Sequence, residues 1–263
     1  MTKSFDLEIR DEVYFAFKNA KIQNSDVVLL HSDISKNLIK YKKRDTNFKL
    51  STLIDIITEY FSKGTLIIPT FNFNFCEKGN YEYLNTPSKM GIITEEIRKE
   101  NKFLRTSHPV YSFVVLGNKN RMFLDSKNFE AFSKNSPFGL LTDLDGKIIS
   151  WNLPDQKSMT YYHFIERENK VIYRFDKIFV GNYTNKENKT SKEKYSIFVR
   201  DIDKGVVTNV EGMEKILWEN NLYYGDKFDS GSGLRSIKVI QLYKKVTDVI
   251  NKNLALGNLY NIK

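Results

Sequence analysis

Only three histidines occur in the 263 residues, and each lies in a short polar motif at the end of an apolar run. The motifs are His31-Ser32-Asp33-Ile34-Ser35, Arg105-Thr106-Ser107-His108-Pro109-Val110-Tyr111-Ser112 and His163-Phe164-Ile165-Glu166. Imidazole changes charge nearest neutral pH, so it is the usual group for moving protons there. His163 and Glu166 stand three residues apart, and in a helix both project from one face. A carboxylate so placed orients the imidazole, fixes its tautomer and stabilises the imidazolium. A general base that takes a proton from an amine or hydroxyl needs those services. The spacing is a weak pattern by itself, and a surface His/Glu pair produces it more often. A di-iron site needs paired motifs on several helices, and the chain has one.

The other two motifs offer binding groups. His31-Ser32-Asp33 supplies short polar side chains and backbone amides after a strand, a setting that cradles phosphate where the amides converge. An ordinary strand-ending turn is the plainer reading of the same residues. Arg105-Thr106-Ser107-His108-Pro109 places one cation and two hydroxyls before a rigid proline, suited to phosphate or pantetheine amides, or to a plain loop. Cys76 could act as a nucleophile but is read as incidental.

Elements must position these groups. Asp26 to Leu30 reads as a buried strand ending at His31. Ser51 is a fitting N-cap for a helix to about Lys63, with Leu53, Ile54, Ile57 and Phe61 at helical spacing and Gly64 as its stop. Thr65 to Pro69 is a second strand, followed by an aromatic, Asn-rich loop through Phe71, Phe73, Phe75 and Tyr81. A helix is expected near Gly91 to Glu100, and strands at Tyr111 to Leu116 and Lys147 to Trp151. Thr160 to Glu168 reads as helix and Val171 to Phe179 as strand. Further on come a strand near Tyr195 to Arg200, a helix near Glu211 to Asn220 and a long helix from Gly233 to Asn253. Short apolar strands alternating with helices indicate an α/β fold, a mixed sheet covered on both faces. His31, Pro69-Thr70 and Trp151-Asn152 then lie at strand C-termini, where ligands gather in open α/β sheets.

Composition sets the frame. Hydrophobic residues make up 41% of the chain and aromatics 14%, enough for a core without a partner. No Pro/Gly/Ser-rich linker divides it, so a single domain over residues 1–263 is expected, with a C-terminal helical elaboration from about 205. No apolar run approaches a membrane span, and the first residues have no signal-peptide character. One cysteine excludes an internal disulfide and fits the reducing cytoplasm. With 41 Lys+Arg against 32 Asp+Glu, the net charge of +9 favours anionic partners. The densest basic stretch is Lys36, Lys40, Lys42, Lys43 and Arg44. It reads as a solvated face, since no nucleic-acid motif accompanies it.

Taken in order, the motifs resemble the aminoglycoside 3-N-acetyltransferase family. The resemblance rests on His31-Ser32-Asp33-Ile34, Gly64-Thr65-Leu66-Ile67-Ile68-Pro69-Thr70-Phe71 and Thr86-Pro87-Ser88-Lys89-Met90-Gly91. It continues through Arg105 to Ser112, Ser136-Pro137-Phe138-Gly139 and His163-Phe164-Ile165-Glu166, and spans roughly residues 25 to 180. It implies that family's fold and an acetyl-CoA-dependent N-acyltransferase working by direct transfer in a ternary complex, with no metal. His163, oriented by Glu166, would be the general base. His31, Ser32, Asp33, Ile34, Arg105, Thr106, Ser107 and Ser112 would hold the coenzyme. Asp33, Thr70, Phe71, His108, Asn152 and Thr160 would meet the acceptor, His108 chiefly as a brace of the cleft wall.

The departures fall where specificity is set. Asp33 replaces a second Ser, the Lys/Arg cluster replaces glycines, and Ser150-Trp151-Asn152-Leu153-Pro154 replaces a Gly-His-Asn-Thr-like stretch. Aminoglycosides are polycations, whereas this chain is basic. The expected acceptor is therefore a small-molecule amino sugar in nucleotide-linked form, of the kind used for surface polysaccharide. Aminoglycoside modification conferring antibiotic resistance is the alternative, and a non-catalytic protein holding nucleic acid or anionic polysaccharide a more distant one. A homodimer is left open.

Overall fold

The computed structural model describes residues 2–263, with side chains from Phe5 onward. Helix α1 (Thr2–Asn19) leads into strand β1 (Val27–Ser32), then α2 (Ser35–Arg44), α3 (Leu50–Tyr60) and β2 (Thr65–Pro69). Next come α4 (Asn74–Lys78), β3 (Asn80–Glu82), α5 (Ile92–Glu100), β4 (Phe113–Gly117), α6 (Asn120–Leu124) and α7 (Pro137–Asp143). They are followed by β5 (Lys147–Trp151), α8 (Asp155–Ser158), α9 (Tyr161–Glu168), β6 (Arg174–Thr184) and β7 (Thr190–Arg200). The chain closes with β8 (Val206–Thr208), α10 (Glu211–Glu219), β9 (Tyr224–Gly225), β10 (Leu234–Lys238), α11 (Val239–Asn251) and β11 (Tyr260–Ile262).

The central sheet runs β4-β2-β1-β5-β10-β9. β1 is parallel to β2 and β5, whereas β4, β10 and β9 enter antiparallel to their neighbours. Successive strand residues face opposite sides, and both sides are covered. Val28, Leu30, Leu66, Ile68 and Ile149 pack under α1, α3 and α5, with Val13, Phe17, Ile57 and Ile97. Val27, Leu29, Ile67, Ile148 and Ile237 pack under α7, α9 and α11, with Phe138, Ile165 and Leu242. The expected mixed sheet with helices on both faces is the one observed.

Three local expectations change. β1 extends through His31 to Ser32, so His31 is a strand residue rather than the start of a turn. Ser51 is not a cap; α3 begins at Leu50, and Lys49 precedes it with no side-chain cap bond. The long helix expected from Gly233 is a strand followed by a helix. Residues 234–238 pair with β5, Leu234 opposite Trp151, before α11 starts at Val239. The residues after 205 thus hold strands as well as helices, and one of those strands lies inside the central sheet.

Outside that sheet, β6 and β7 form a long hairpin joined on its far edge by β3. This hairpin follows the helix carrying His163 and supplies a wall beside it. The Ser136-Pro137-Phe138-Gly139 motif has a local cause. Ser136 Oγ accepts from the Gly139 amide at the start of α7, and Pro137 sits in the first turn, where no amide is needed. A Cβ at residue 139 would come within 2.0 Å of the Lys134 carbonyl oxygen.

Candidate active site

α9 holds the proton-handling pair. His163 Nδ1 lies 2.7 Å from Glu166 Oε2, one helical turn on. The carboxylate can only accept, so Nδ1 carries the hydrogen and Nε2 is left with a free lone pair. Glu166 is 1% exposed. It also accepts from the Tyr173 hydroxyl at 3.0 Å and forms an ion pair with Arg174 Nε at 2.8 Å. Burial alone would raise its pKa, but the Arg174 guanidinium, His163 and Tyr173 together hold it below the ordinary range. His163 is pushed down, first by burial and then by Arg174, against the pull of Glu166. A neutral imidazole beside an ionised carboxylate is the resting state of a general base.

His163 borders a cavity of about 820 Å³ whose other walls are mostly the hairpin and the aromatic loop. Phe73, Tyr111, Phe175, Phe179 and Phe198 give it an aromatic lining. Arg174, Lys177 and Arg200 face Glu77 and Asp203 across it. The residues expected to meet the acceptor are elsewhere. Thr70 is fully buried, its hydroxyl 3.0 Å from Ser112 Oγ. Phe71 is buried against Phe113 and Tyr111. His108 is buried as a brace, its Nδ1 accepting from the amides of Val110 and Tyr111. Burial pushes its pKa down to about 3. Thr160 precedes α9, and its carbonyl accepts from the His163 amide. Cys76 borders the same cavity, and burial pushes its thiol up to about 12, which leaves it a poor nucleophile at neutral pH.

The expected coenzyme residues divide into two groups. His31, Ser32, Asp33 and Ile34 line a second cavity of about 680 Å³ with Lys42, Lys89 and Lys157. His31 Nε2 and Ser32 Oγ are buried there without a hydrogen-bond partner. Burial takes the His31 imidazole down to about 3, so it is neutral. Asp33 Oδ1 accepts from the Ser35 amide, and its hydrogen bonds to Ser35, with Lys157 and Lys36 nearby, lower its pKa. Arg105, Thr106 and Ser112 line neither cavity; all three are buried, with their polar groups bonded in the interior. Arg105 donates to the carbonyls of Thr70, Tyr83 and Thr86 and to Ser112 Oγ. Thr106 Oγ1 accepts from the Phe113 amide. Ser107 offers its carbonyl to the Tyr183 hydroxyl. The motif therefore ties the strand ends together instead of meeting solvent.

Asn152 is likewise moved. Its φ of 53° turns the chain after β5, and its Nδ2 donates to the Asp33 carbonyl and to Asn37 Oδ1. It braces the His31–Ile34 segment, away from His163. Gly233 packs so closely that a Cβ there would lie 2.0 Å from Asn152 Oδ1. The basic stretch is also dispersed. Lys40 and Arg44 pair with Glu12, and Arg44 with Glu8, both from α1, while Lys42 turns to the 680 Å³ cavity.

Phe71 stands between the two cavities, its ring centroid 6.4 Å from His31 and 4.9 Å from Tyr111. Among the described residues, no group of three or more His, Cys, Asp and Glu is placed to hold a metal ion. Among the described residues, too, no helix is long and apolar enough to cross a membrane.

The fold is thus a six-stranded mixed sheet with an imidazole–carboxylate pair beside one cavity and a strand end with lysines beside another. The family model of aminoglycoside 3-N-acetyltransferases matches residues 29–231, and the chain belongs to that family. This agrees with the expected enzyme class, an N-acyltransferase. No curated protein matches the chain by sequence. Among solved structures it is similar to AAC-IIIb in binary complex with CoASH, at 14% identity and a TM-score of 0.71, covering 93% of this chain and 96% of that one. YokD from Bacillus subtilis gives 16% identity and a TM-score of 0.70, over 93% and 99% of the two chains. AAC-VIa bound to sisomicin gives 14% and 0.69, over 94% and 98%. At such identities the likeness speaks for the fold.

Proposed function

We propose that the chain transfers the acetyl group of acetyl-CoA to the amine of a nucleotide-linked amino sugar, in a ternary complex. The observation that carries the reaction type is the free Nε2 of His163, directed by its Nδ1 bond to Glu166 and set in the wall of the 820 Å³ cavity. His163 Nε2 takes the amine proton as the nitrogen attacks the thioester carbonyl. The C–N bond forms, the C–S bond breaks, and the departing thiolate recovers the proton from the imidazolium. Glu166 stabilises that transient cation, and its own charge is secured by Arg174 and Tyr173.

The coenzyme fits the other cavity. Lys42, Lys89 and Lys157 suit its phosphates, while His31 Nε2 and Ser32 Oγ are buried polar atoms awaiting a partner. The acceptor reading rests on charge. With Arg174 paired to Glu166, Lys177 and Arg200 balance Glu77 and Asp203 in the lining of the His163 cavity; it is the chain's net charge of +9 that disfavours a polycation and suits an acceptor carrying negative charge. A nucleotide-linked amino sugar destined for surface polysaccharide, acetylated in the cytoplasm, satisfies this. Glu77 and Asp203 in the same lining, together with the family, favour aminoglycoside acetylation as the second reading.

The test follows CoA release with a thiol reagent against two acceptor panels. Turnover confined to nucleotide-linked 3- and 4-amino sugars is the expected result. Turnover confined to aminoglycosides would replace the first reading by the second.

A further inference from the structure

The β6–β7 ladder sets Arg174 directly opposite Arg200. Like charges at that spacing repel. Arg174 is neutralised by Glu166 and donates through Nη2 to Thr208 Oγ1 at 2.7 Å. Arg200 is exposed, and among the described residues it makes no ion pair and no side-chain hydrogen bond. Three residues along β6 from Arg174, Lys177 is exposed as well, its Nζ 5.4 Å from the centroid of Phe179. Phe175, 47% exposed, lies between them in sequence and borders the same cavity. Glu77 and Asp203 share the lining but pair with neither cation.

Two uncommitted cations and an open aromatic ring therefore border the cavity of His163, Arg200 from the face of the ladder that carries Arg174, and Phe175 and Lys177 from the other. Resting on the acceptor reading above, we infer that Lys177 and Arg200 clamp the diphosphate of the acceptor and that Phe175 stacks on its nucleobase. The guanidinium presents a rigid fork that matches phosphate oxygens, and the flexible ammonium supplies a second positive point. An exposed phenylalanine offers a π-face that any base can use.

The test is a calorimetric titration of the protein, saturated with CoA, with uridine diphosphate and guanosine diphosphate. Saturation closes the coenzyme site to these probes. The expected result is saturable binding that Arg200→Glu and Lys177→Glu each weaken by about tenfold or more, as loss of charge-assisted hydrogen bonds does. Arg200→Lys should weaken it less, and CoA affinity should stay unchanged in all variants. Both substituted residues are exposed, so the variants should fold; equal melting temperatures will verify it. Binding that Arg200→Glu leaves intact, or that CoA abolishes, overturns the clamp. Turnover of nucleotide-linked amines is measured separately. If the clamp binds the probes but no such amine is acetylated, the clamp stands and the acceptor reading falls.

Discussion

Glu166 Oε2 and Arg174 Nε lie 2.8 Å apart with both side chains almost wholly buried, and the same carboxylate oxygen meets His163 Nδ1. The His163 imidazole, the general base of the proposed reaction, is therefore governed by two charges of opposite sign. Glu166 favours the imidazolium, whereas Arg174 opposes it and keeps the carboxylate ionised.

The first consequence is a pH profile. His163 must be neutral to accept a proton, and its pKa is lowered from 6.5. The acid limb of kcat/KM should accordingly fall below pH 6.5, with a plateau through neutrality. Arg174→Met removes the opposing charge, so that limb should move to higher pH. A limb that stays in place or moves down would show that Arg174 does not govern the base.

His163→Ala should lower kcat by about 10²–10⁴, the usual range for loss of a general base. CoA affinity should persist, because His163 borders the other cavity. Glu166→Gln should lower kcat with little change in KM, since it disturbs the orientation and charge of His163 rather than a substrate contact. Steady-state kinetics and a CoA titration check both, and unchanged turnover in His163→Ala would remove it from the mechanism.

The two buried histidines make stability depend on pH. His31 and His108 are held down to about 3, below the value near 6.5 of an unfolded chain. A depressed folded pKa means the unfolded state takes up protons first. Stability should thus be complete above about pH 6.5 and decline as pH falls toward 3. Carboxylates held low in the fold, such as Glu166, add to the loss only below about pH 4.5. Between pH 6.5 and 4.5 the histidines dominate, so His31→Gln should flatten the decline of the melting temperature there. An unaltered slope would contradict the assignment.

Asp155 and Arg235 form an ion pair of 2.7 Å with both side chains 0% exposed. The hydroxyls of Tyr162 and Tyr223 both donate to Asp155, and Arg235 also donates to the Leu153 carbonyl. Asp155→Ala would leave the buried Arg235 only its longer pair with Glu214, at 3.4 Å, and should cost about 3–5 kcal/mol in denaturant unfolding. Tyr162 adjoins His163, so the same network anchors the first turn of α9. A loss below about 1 kcal/mol in such a fully buried pair would contradict this account.

Lys42, Lys89 and Lys157 belong to the coenzyme cavity in the proposed reading. Replacing each by Gln should raise KM for acetyl-CoA several-fold with kcat nearly constant, and the effect should shrink as salt rises. Initial-rate measurements at two ionic strengths decide it; a fall in kcat with unchanged KM would place the lysines elsewhere.

Much of the scaffold is legible in the sequence. Thr65–Pro69 and Lys147–Trp151 are continuous apolar runs bounded by breakers, and both strands have the expected limits. The helical spacing of His163 and Glu166 likewise translates directly into their hydrogen bond. Other features depend on distant partners. Leu234 to Lys238 merges with the following helix in any periodicity plot, and only pairing with β5 makes it a strand. The expected reading also passed over α1. Its Ile9, Val13, Ala16 and Phe17 are fully or nearly buried at helical spacing, but a polar remainder dilutes the signal. The lining of the His163 cavity is not legible in the sequence, because Arg174, Lys177 and Arg200 reach it through hairpin register, which no local pattern encodes. Arg105 looked like a ligand cation since nothing in the sequence reveals the three carbonyls that surround it.

Phe71 parts the two cavities, and its position has a kinetic meaning. In the proposed reading donor and acceptor occupy separate cavities, so neither has to precede the other. Binding should follow a random order, with intersecting lines in initial-rate plots. CoA should inhibit competitively against acetyl-CoA alone, and the acetylated product can depart while the spent coenzyme is still in place.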